Sequence, residues 1–213
     1  MKNLAVIIVA GGSGQRMGST TPKQFLLIDG LPILVRTLMA FSDAAQRVVV
    51  LPEDHIPYWN ELLEKYRITF THTIVGGGKT RFQSVSNGLK AIDPNIGFIA
   101  VHDGVRPFVT THVIENTLEC AKEHSAAIPV IEVSDTIRQI DNQGASHTLQ
   151  RDRLRAVQTP QIFARDLLLS AYEQEELSSF TDDASVVEQL GEHVALAQGD
   201  PKNIKITYPS DIQ

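Results

Sequence analysis

Leu4-Ala5-Val6-Ile7-Ile8-Val9-Ala10 runs without a polar residue into Gly11-Gly12-Ser13-Gly14-Gln15-Arg16-Met17-Gly18, and Pro22-Lys23-Gln24 follows shortly after. An apolar run of strand length, hydrophobic on both faces, fits a strand inside a parallel sheet covered by helices. The turn it feeds is rich in glycine and carries two cations, Arg16 and Lys23. Exposed backbone N–H groups combined with fixed positive charge are what a phosphate chain needs. The stretch therefore predicts an α/β fold and a nucleotide ligand.

The better-known phosphate loops do not fit. Met17 stands where a dinucleotide fingerprint needs its third glycine, and no Gly-Lys-Ser/Thr follows Gly14 to open a helix as in a Walker loop. Lys23 lies beyond a proline that interrupts any helix starting at the glycines. A tight surface turn explains the glycines by themselves, but a turn needs no cations.

Outward from this loop, short apolar runs alternate with amphipathic stretches. Residues 47–52, 68–76, 97–103 and 126–133 read as further strands, and residues 33–42, 56–66, 81–92 and 112–124 have helical spacing, with Thr80 and Thr111 as plausible caps. Steady alternation predicts a doubly wound, mostly parallel sheet, whose ligands bind outside the carboxyl ends of the strands. Gly76-Gly77-Gly78 and His102-Asp103-Gly104-Val105-Arg106 fall at such ends. The glycines let the backbone approach a base or ribose, Ser84 on the next helix points the same way, and Arg81 reads as a positioning group. Asp103 suits a Mg²⁺ ion or a substrate hydroxyl, and Arg106 offers a planar fork for phosphate; a plain ion pair between the two is the competing reading. His102 has no metal-spaced neighbours and reads as structural.

Residues 134–155 break the rhythm. They are polar, without a helical stripe, and place Asp141-Asn142-Gln143-Gly144 between two alternating runs, as in a hairpin. An arm of this kind, projecting from a single domain spanning residues 1–213, predicts a homodimer in which each arm packs on the partner; a mobile loop is the alternative.

Composition narrows the partners. The 213-residue chain has a formal net charge of −6 and no basic stripe, which argues against nucleic acid. Its single cysteine, Cys120, excludes an internal disulfide framework and points to a reducing cytoplasm. No run approaches the roughly 20 apolar residues of a membrane span, and the amino terminus lacks a signal peptide's apolar core.

The carboxyl-terminal half holds Thr136 and Arg138, Arg151 to Arg155, Gln158-Thr159-Pro160-Gln161, Thr181-Asp182-Asp183-Ala184 and Asn203-Ile204-Lys205. Singly these are bland: Thr181 reads as a helix cap, and the three arginines read as a solvated strand face. Taken with the glycine loop, Gly77-Gly78-x-x-Arg81-x-x-Ser84-Val85 and His102-Asp103-Gly104-Val105-Arg106-Pro107, their order and spacing over essentially the whole chain resemble the 2-C-methyl-D-erythritol 4-phosphate cytidylyltransferase family. The resemblance implies a Rossmann-like nucleotidyltransferase fold, a homodimer joined through its arms, and CMP transfer from CTP to a sugar-alcohol phosphate with Mg²⁺.

It implies that Arg16, Lys23 and Lys205 do the catalytic charge work. Ala10, Gly11, Gly12, Gly78, Arg81, Ser84 and Asp103 would bind the nucleotide. Asp103, Arg106, Thr181 and Lys205 would contact the polyol phosphate, with Thr136 and Arg151 from the partner's arm. Mg²⁺ would be held mainly by the CTP phosphates, with Asp103 as its protein ligand. This chain has Lys79 where the family often has an acid, and relatives continue past the equivalent of Gln213 into a closing helix. A cytidylyltransferase for another polyol phosphate, such as ribitol 5-phosphate, shares the nucleotide half. A non-catalytic nucleotide-binding module would have no need of Arg106, Thr136, Arg151 and Lys205 together.

Overall fold

The structure, a computed structural model, describes residues 1–12 and 21–212; Arg16 and most of the glycine loop lie outside them. The described residues form an eight-stranded sheet in the order β10 (Arg155–Val157), β7 (Ala126–Glu132), β11 (Gln161–Ala164), β6 (Phe98–Asp103), β1 (Leu4–Val9), β4 (Gln46–Leu51) and β5 (Thr73–Gly76), with β12 (Ala195–Gln198) also paired to β7, while β2 (Leu27–Ile28) and β3 (Leu31–Pro32) pair in a small sheet of their own. Its parallel part is β1, β4, β5 and β6. The remainder comprises β7, β10, β11 and β12, of which β12 runs parallel to β7 while β10 and β11 run antiparallel to it.

Strand alternation divides the core into two layers. Leu4, Val6 and Ile8 of β1 pack with Leu34, Val35 and Leu38 of α1 (Ile33–Ala40), Trp59 and Leu62 of α2 (Ile56–Lys65), and Val113, Ile114 and Leu118 of α4 (Thr111–His124). Ala5 and Ile7 face the other way, towards Val85 and Leu89 of α3 (Arg81–Leu89), Leu168 and Ala171 of α5 (Arg165–Tyr172), and Val186 and Val187 of α6 (Asp183–Glu188). Helices on both faces explain why β1 has no polar residue. The doubly wound expectation is met.

Three details differ from the sequence reading. Only Thr73–Gly76 of the expected strand 68–76 pairs with β4; before it, the Arg47 guanidinium donates to the Thr71 carbonyl at 2.9 Å and takes the place of a ladder bond. The cap of α4 is Thr110, not Thr111: the Thr110 hydroxyl accepts from the Val113 amide. β11 enters antiparallel between β6 and β7, a strand of four residues too short to show a period. The arm does form a hairpin, β8 (Arg138–Ile140) with β9 (Ser146–Thr148). Its turn is closed by the Asp141 carboxylate, which accepts from the Gln143 and Ala145 amides, and by Gly144 at φ +84°.

Candidate active site

A cleft of about 310 Å³ opens at the carboxyl ends of β1, β5 and β6. Ala10, Gly11, Gly12, Lys23, Gly78, Arg81, Ser84, Asp103 and Lys205, nine of the candidates from the sequence, line it together. They come from five separate stretches of chain, so only the fold makes them neighbours.

Each wall has a physical reason for its shape. Gly78 lies so close to Gln83 that a Cβ there would overlap the Gln83 side chain. Its amide donates to the Ser84 hydroxyl at 3.1 Å, and that hydroxyl donates to the Thr80 carbonyl at 2.8 Å. Ser84 thus shapes the glycine turn as well as lining the cleft. Thr80 starts α3 by accepting from the Gln83 amide. Lys23 and Gln24 sit on a short 3-10 turn, Lys23–Phe25. That turn is anchored by Phe25, buried against His55, Tyr58 and Trp59. The Lys23 ammonium donates to the Ile206 carbonyl at 3.2 Å, tying the turn to the Lys205 segment.

Asp103 is the electrostatic centre. Lys205 lies 3.1 Å from its carboxylate and Arg106 3.2 Å. Burial alone would raise its pKa; Lys205, Arg81 and Arg106 outweigh burial and hold the carboxyl well below the usual range. Arg106 does not line the cleft but lies behind Asp103, with Nη1 donating to the Asn203 carbonyl at 2.8 Å. The ion pair between the two that the sequence offered as one reading is therefore formed, with Asp103 on the cleft wall and Arg106 behind it. His102 is structural, as expected. Its Nε2 lies 3.2 Å from the Arg106 carbonyl and its Nδ1 3.0 Å from the Thr159 hydroxyl, and that hydroxyl accepts from the Asp103 amide. These partners assign the neutral, Nε2-protonated tautomer, in keeping with burial that lowers its pKa to about 4.

Arg81 depends on a residue that the sequence reading took only as part of a helix start. Asp183, fully buried, accepts both Arg81 terminal nitrogens at 2.9 and 2.6 Å and the Tyr172 hydroxyl at 2.6 Å. The signal was an acid beside a helix cap, which the sequence cannot distinguish from an ordinary first-turn acid. Thr181 is not the cap: Asp182 is, in a reciprocal capping box with Ser185. Thr181 lies outside the cleft, lining a notch beside Arg81, Tyr172 and Phe180. Thr136 and Arg151 are exposed in the arm region. Arg151 donates to the Ser134 carbonyl at 2.6 Å and lines a separate concavity with Glu132, Asp152 and Arg155.

The 2-C-methyl-D-erythritol 4-phosphate cytidylyltransferase family profile matches residues 4–213. The chain is 49% identical over 212 residues to the cytidylyltransferase of that name from Bacteroides thetaiotaomicron, covering 98% of this chain and 96% of that protein. The solved 4-diphosphocytidyl-2C-methyl-D-erythritol synthase of Anaerococcus prevotii superposes with a TM-score of 0.84 at 32% identity, covering 99% of this chain and 95% of that one. The Thermus thermophilus 2-C-methyl-D-erythritol 4-phosphate cytidylyltransferase gives 0.81 at 34% identity, over 100% and 96%. By sequence over nearly its whole length and by fold, this chain belongs to the 2-C-methyl-D-erythritol 4-phosphate cytidylyltransferase family.

Proposed function

We propose that this chain transfers CMP from CTP to 2-C-methyl-D-erythritol 4-phosphate, releasing pyrophosphate, in non-mevalonate isoprenoid precursor synthesis. The observation that carries the site assignment is the convergence of Lys23, Arg81 and Lys205 on one cleft that the residues just past β1, Ala10 to Gly12, also line. An acceptor phosphate oxygen attacks the α-phosphorus in line and pyrophosphate leaves from the far side. That phosphate is already mostly dianionic at neutral pH, so no general base is needed. The barrier is repulsion between anions, lowered by positioning and by fixed positive charge. Lys23, with Arg16, holds the triphosphate. Lys205, already paired with Asp103, meets the acceptor phosphate; Arg106 acts there through Asp103, and Thr181 would reach the acceptor only from the notch beside Arg81. Ala10, Gly11, Gly12, Gly78, Arg81 and Ser84 hold the nucleoside side.

A divalent cation such as Mg²⁺ suits this donor set in one way. Asp103 is the single carboxylate among the described cleft residues, and Mg²⁺ characteristically combines one or two carboxylates with substrate phosphates. Bound there, the ion supplies charge neutralisation on the phosphoryl oxygens, and Asp103 would be its protein ligand. The hairpin arm would join two copies and bring Thr136 and Arg151 of one to the acceptor side of the other. Among the described residues no helix is long and apolar enough to cross a membrane, and Cys120 suits a reducing cytosol.

Pyrophosphate release with CTP and a panel of polyol phosphates tests the reading. The expected result is release with 2-C-methyl-D-erythritol 4-phosphate and little with CTP alone. Preference for ribitol 5-phosphate would reassign the acceptor, and no release with any acceptor would reduce the chain to a nucleotide binder.

A further inference from the structure

Gln158-Thr159-Pro160-Gln161 has no part in the chemistry above, and none of the four residues lines the cleft. Both glutamines are nevertheless buried: Gln158 spends its side-chain hydrogen bonds on the backbone just before the cleft cation Lys205, and Gln161 spends its own on the stretch around Asp183, the acid that holds the cleft cation Arg81.

Gln158 grips the chain just before Lys205. Its Nε2 donates to the Asp200 carbonyl at 2.8 Å and the Asn203 carbonyl at 3.3 Å, while its Oε1 accepts from the Asp200 amide at 3.2 Å. Asn203, itself fully buried, donates from Nδ2 to the Thr159 carbonyl at 2.8 Å. On the far side of Lys205, the Ile206 amide donates to the Val105 carbonyl at 2.9 Å. Residues 199–207 form neither helix nor strand, so side-chain amides do here what a ladder would do elsewhere. The fit is close: a Cβ on Gly199 would lie 2.6 Å from Gln158 Oε1.

Gln161 faces the other way along the chain. Its Nε2 donates to the Asp182 carboxylate at 2.7 Å and its Oε1 accepts from the Ala184 amide at 2.9 Å. These contacts bracket Asp183, whose carboxylate holds Arg81 by both terminal nitrogens. Each job needs a side chain that donates and accepts at once, as the amide of glutamine does.

We propose that the two glutamines are positioning residues for opposite halves of the reaction: Gln158 fixes Lys205 for the acceptor phosphate, and Gln161, through Asp183, fixes Arg81 for the nucleotide. This rests on the reading of the cleft as a site for CTP and a polyol phosphate. Methionine keeps the length of each side chain and removes its hydrogen bonds. Gln158→Met is expected to lower kcat and raise the acceptor KM by about tenfold, with the CTP KM within about twofold of wild type; Gln161→Met is expected to raise the CTP KM about tenfold and leave the acceptor KM alone. A merely structural role would lower the melting temperature and the active fraction without separating the two KM values. The same kinetic profile in both variants, or wild-type constants in either, overturns the proposal. If a methionine variant does not fold, Gln158→Asn and Gln161→Asn, one methylene short, are judged by the same separation. Should wild type release no pyrophosphate, the activity reading falls and calorimetric CTP binding decides the positioning claim. Weakening by Gln161→Met alone supports it, equal effects or none overturn it, and no CTP binding to wild type overturns both.

Discussion

Lys205 and Lys23 reach the cleft by different means, and their substitution should show it. Lys205 is half-exposed and its ammonium meets Asp103, whereas Lys23 is buried with its ammonium on the Ile206 carbonyl. Lys205→Ala and Lys23→Ala are each expected to cut pyrophosphate release by about 10²–10³, as when one preorganised donor is removed. Lys205→Ala should melt close to wild type and Lys23→Ala lower; near-normal turnover in both would refute the charge clamp. His102 offers a pH test at the same scale. Its folded pKa is lowered from 6.5 to about 4 by burial, so between these values the unfolded chain binds the extra proton. The stability it contributes is complete above pH 6.5 and is lost as pH falls towards 4, about 3 kcal/mol in all. Nitrogen NMR of the ring should show a neutral Nε2–H imidazole at pH 5.5; titration near 6.5 would contradict it.

At the level of elements, the junction of β6 with the loop after it sets where Asp103 stands. The Gly104 amide donates to the Val9 carbonyl at 2.8 Å, and a Cβ on Gly104 would lie 2.8 Å from the Ala10 Cβ and 3.1 Å from the Val9 oxygen. Gly104→Ala should therefore push apart the ends of β1 and β6. The expected cost is about 1–3 kcal/mol in a denaturant melt, with weaker CTP binding by calorimetry, because the floor of the cleft moves. β1, β4, β6, β7 and α1 to α4 were legible as elements because their apolar runs or helical periods extend for six residues or more. β10, β11 and β12 were not: three or four residues carry no period, and β11 is a strand because β6 and β7 leave a place for it. The cap of α6 was misread by one residue, since Thr181 and Asp182 are both good caps and only the backbone settles which side chain reaches the Ser185 amide.

For the whole molecule, the arm is the open quantity. Ile140 on the hairpin is 70% exposed and Val157 on β10 is 42% exposed, apolar surface that an arm-to-arm dimer would cover. Sedimentation should show a dimer for wild type and a shift towards monomer for Ile140→Asp. If Arg151 serves the partner's cleft, Lys205→Ala and Arg151→Ala chains, each nearly inactive, should recover about a quarter of wild-type activity when mixed and reassorted, because half of the molecules are heterodimers with one intact site of two. No recovery would mean that Arg151 does not serve the partner's cleft, and a fully active Arg151→Ala chain by itself would place Arg151 outside the reaction.

The sequence by itself determined the alternating α/β order, the buried β1 and the residue types that suit a triphosphate. These follow from local periodicity and from the chemistry of side chains, which no fold alters. The tertiary structure alone decided which distant residues meet. Lys205 comes to Asp103 across 102 positions because an irregular segment is gripped by Gln158 and Asn203, and Arg81 owes its place to Asp183, also 102 positions away. Such pairings carry no periodic signal along the chain. They exist only once the sheet has brought the ends of its strands together.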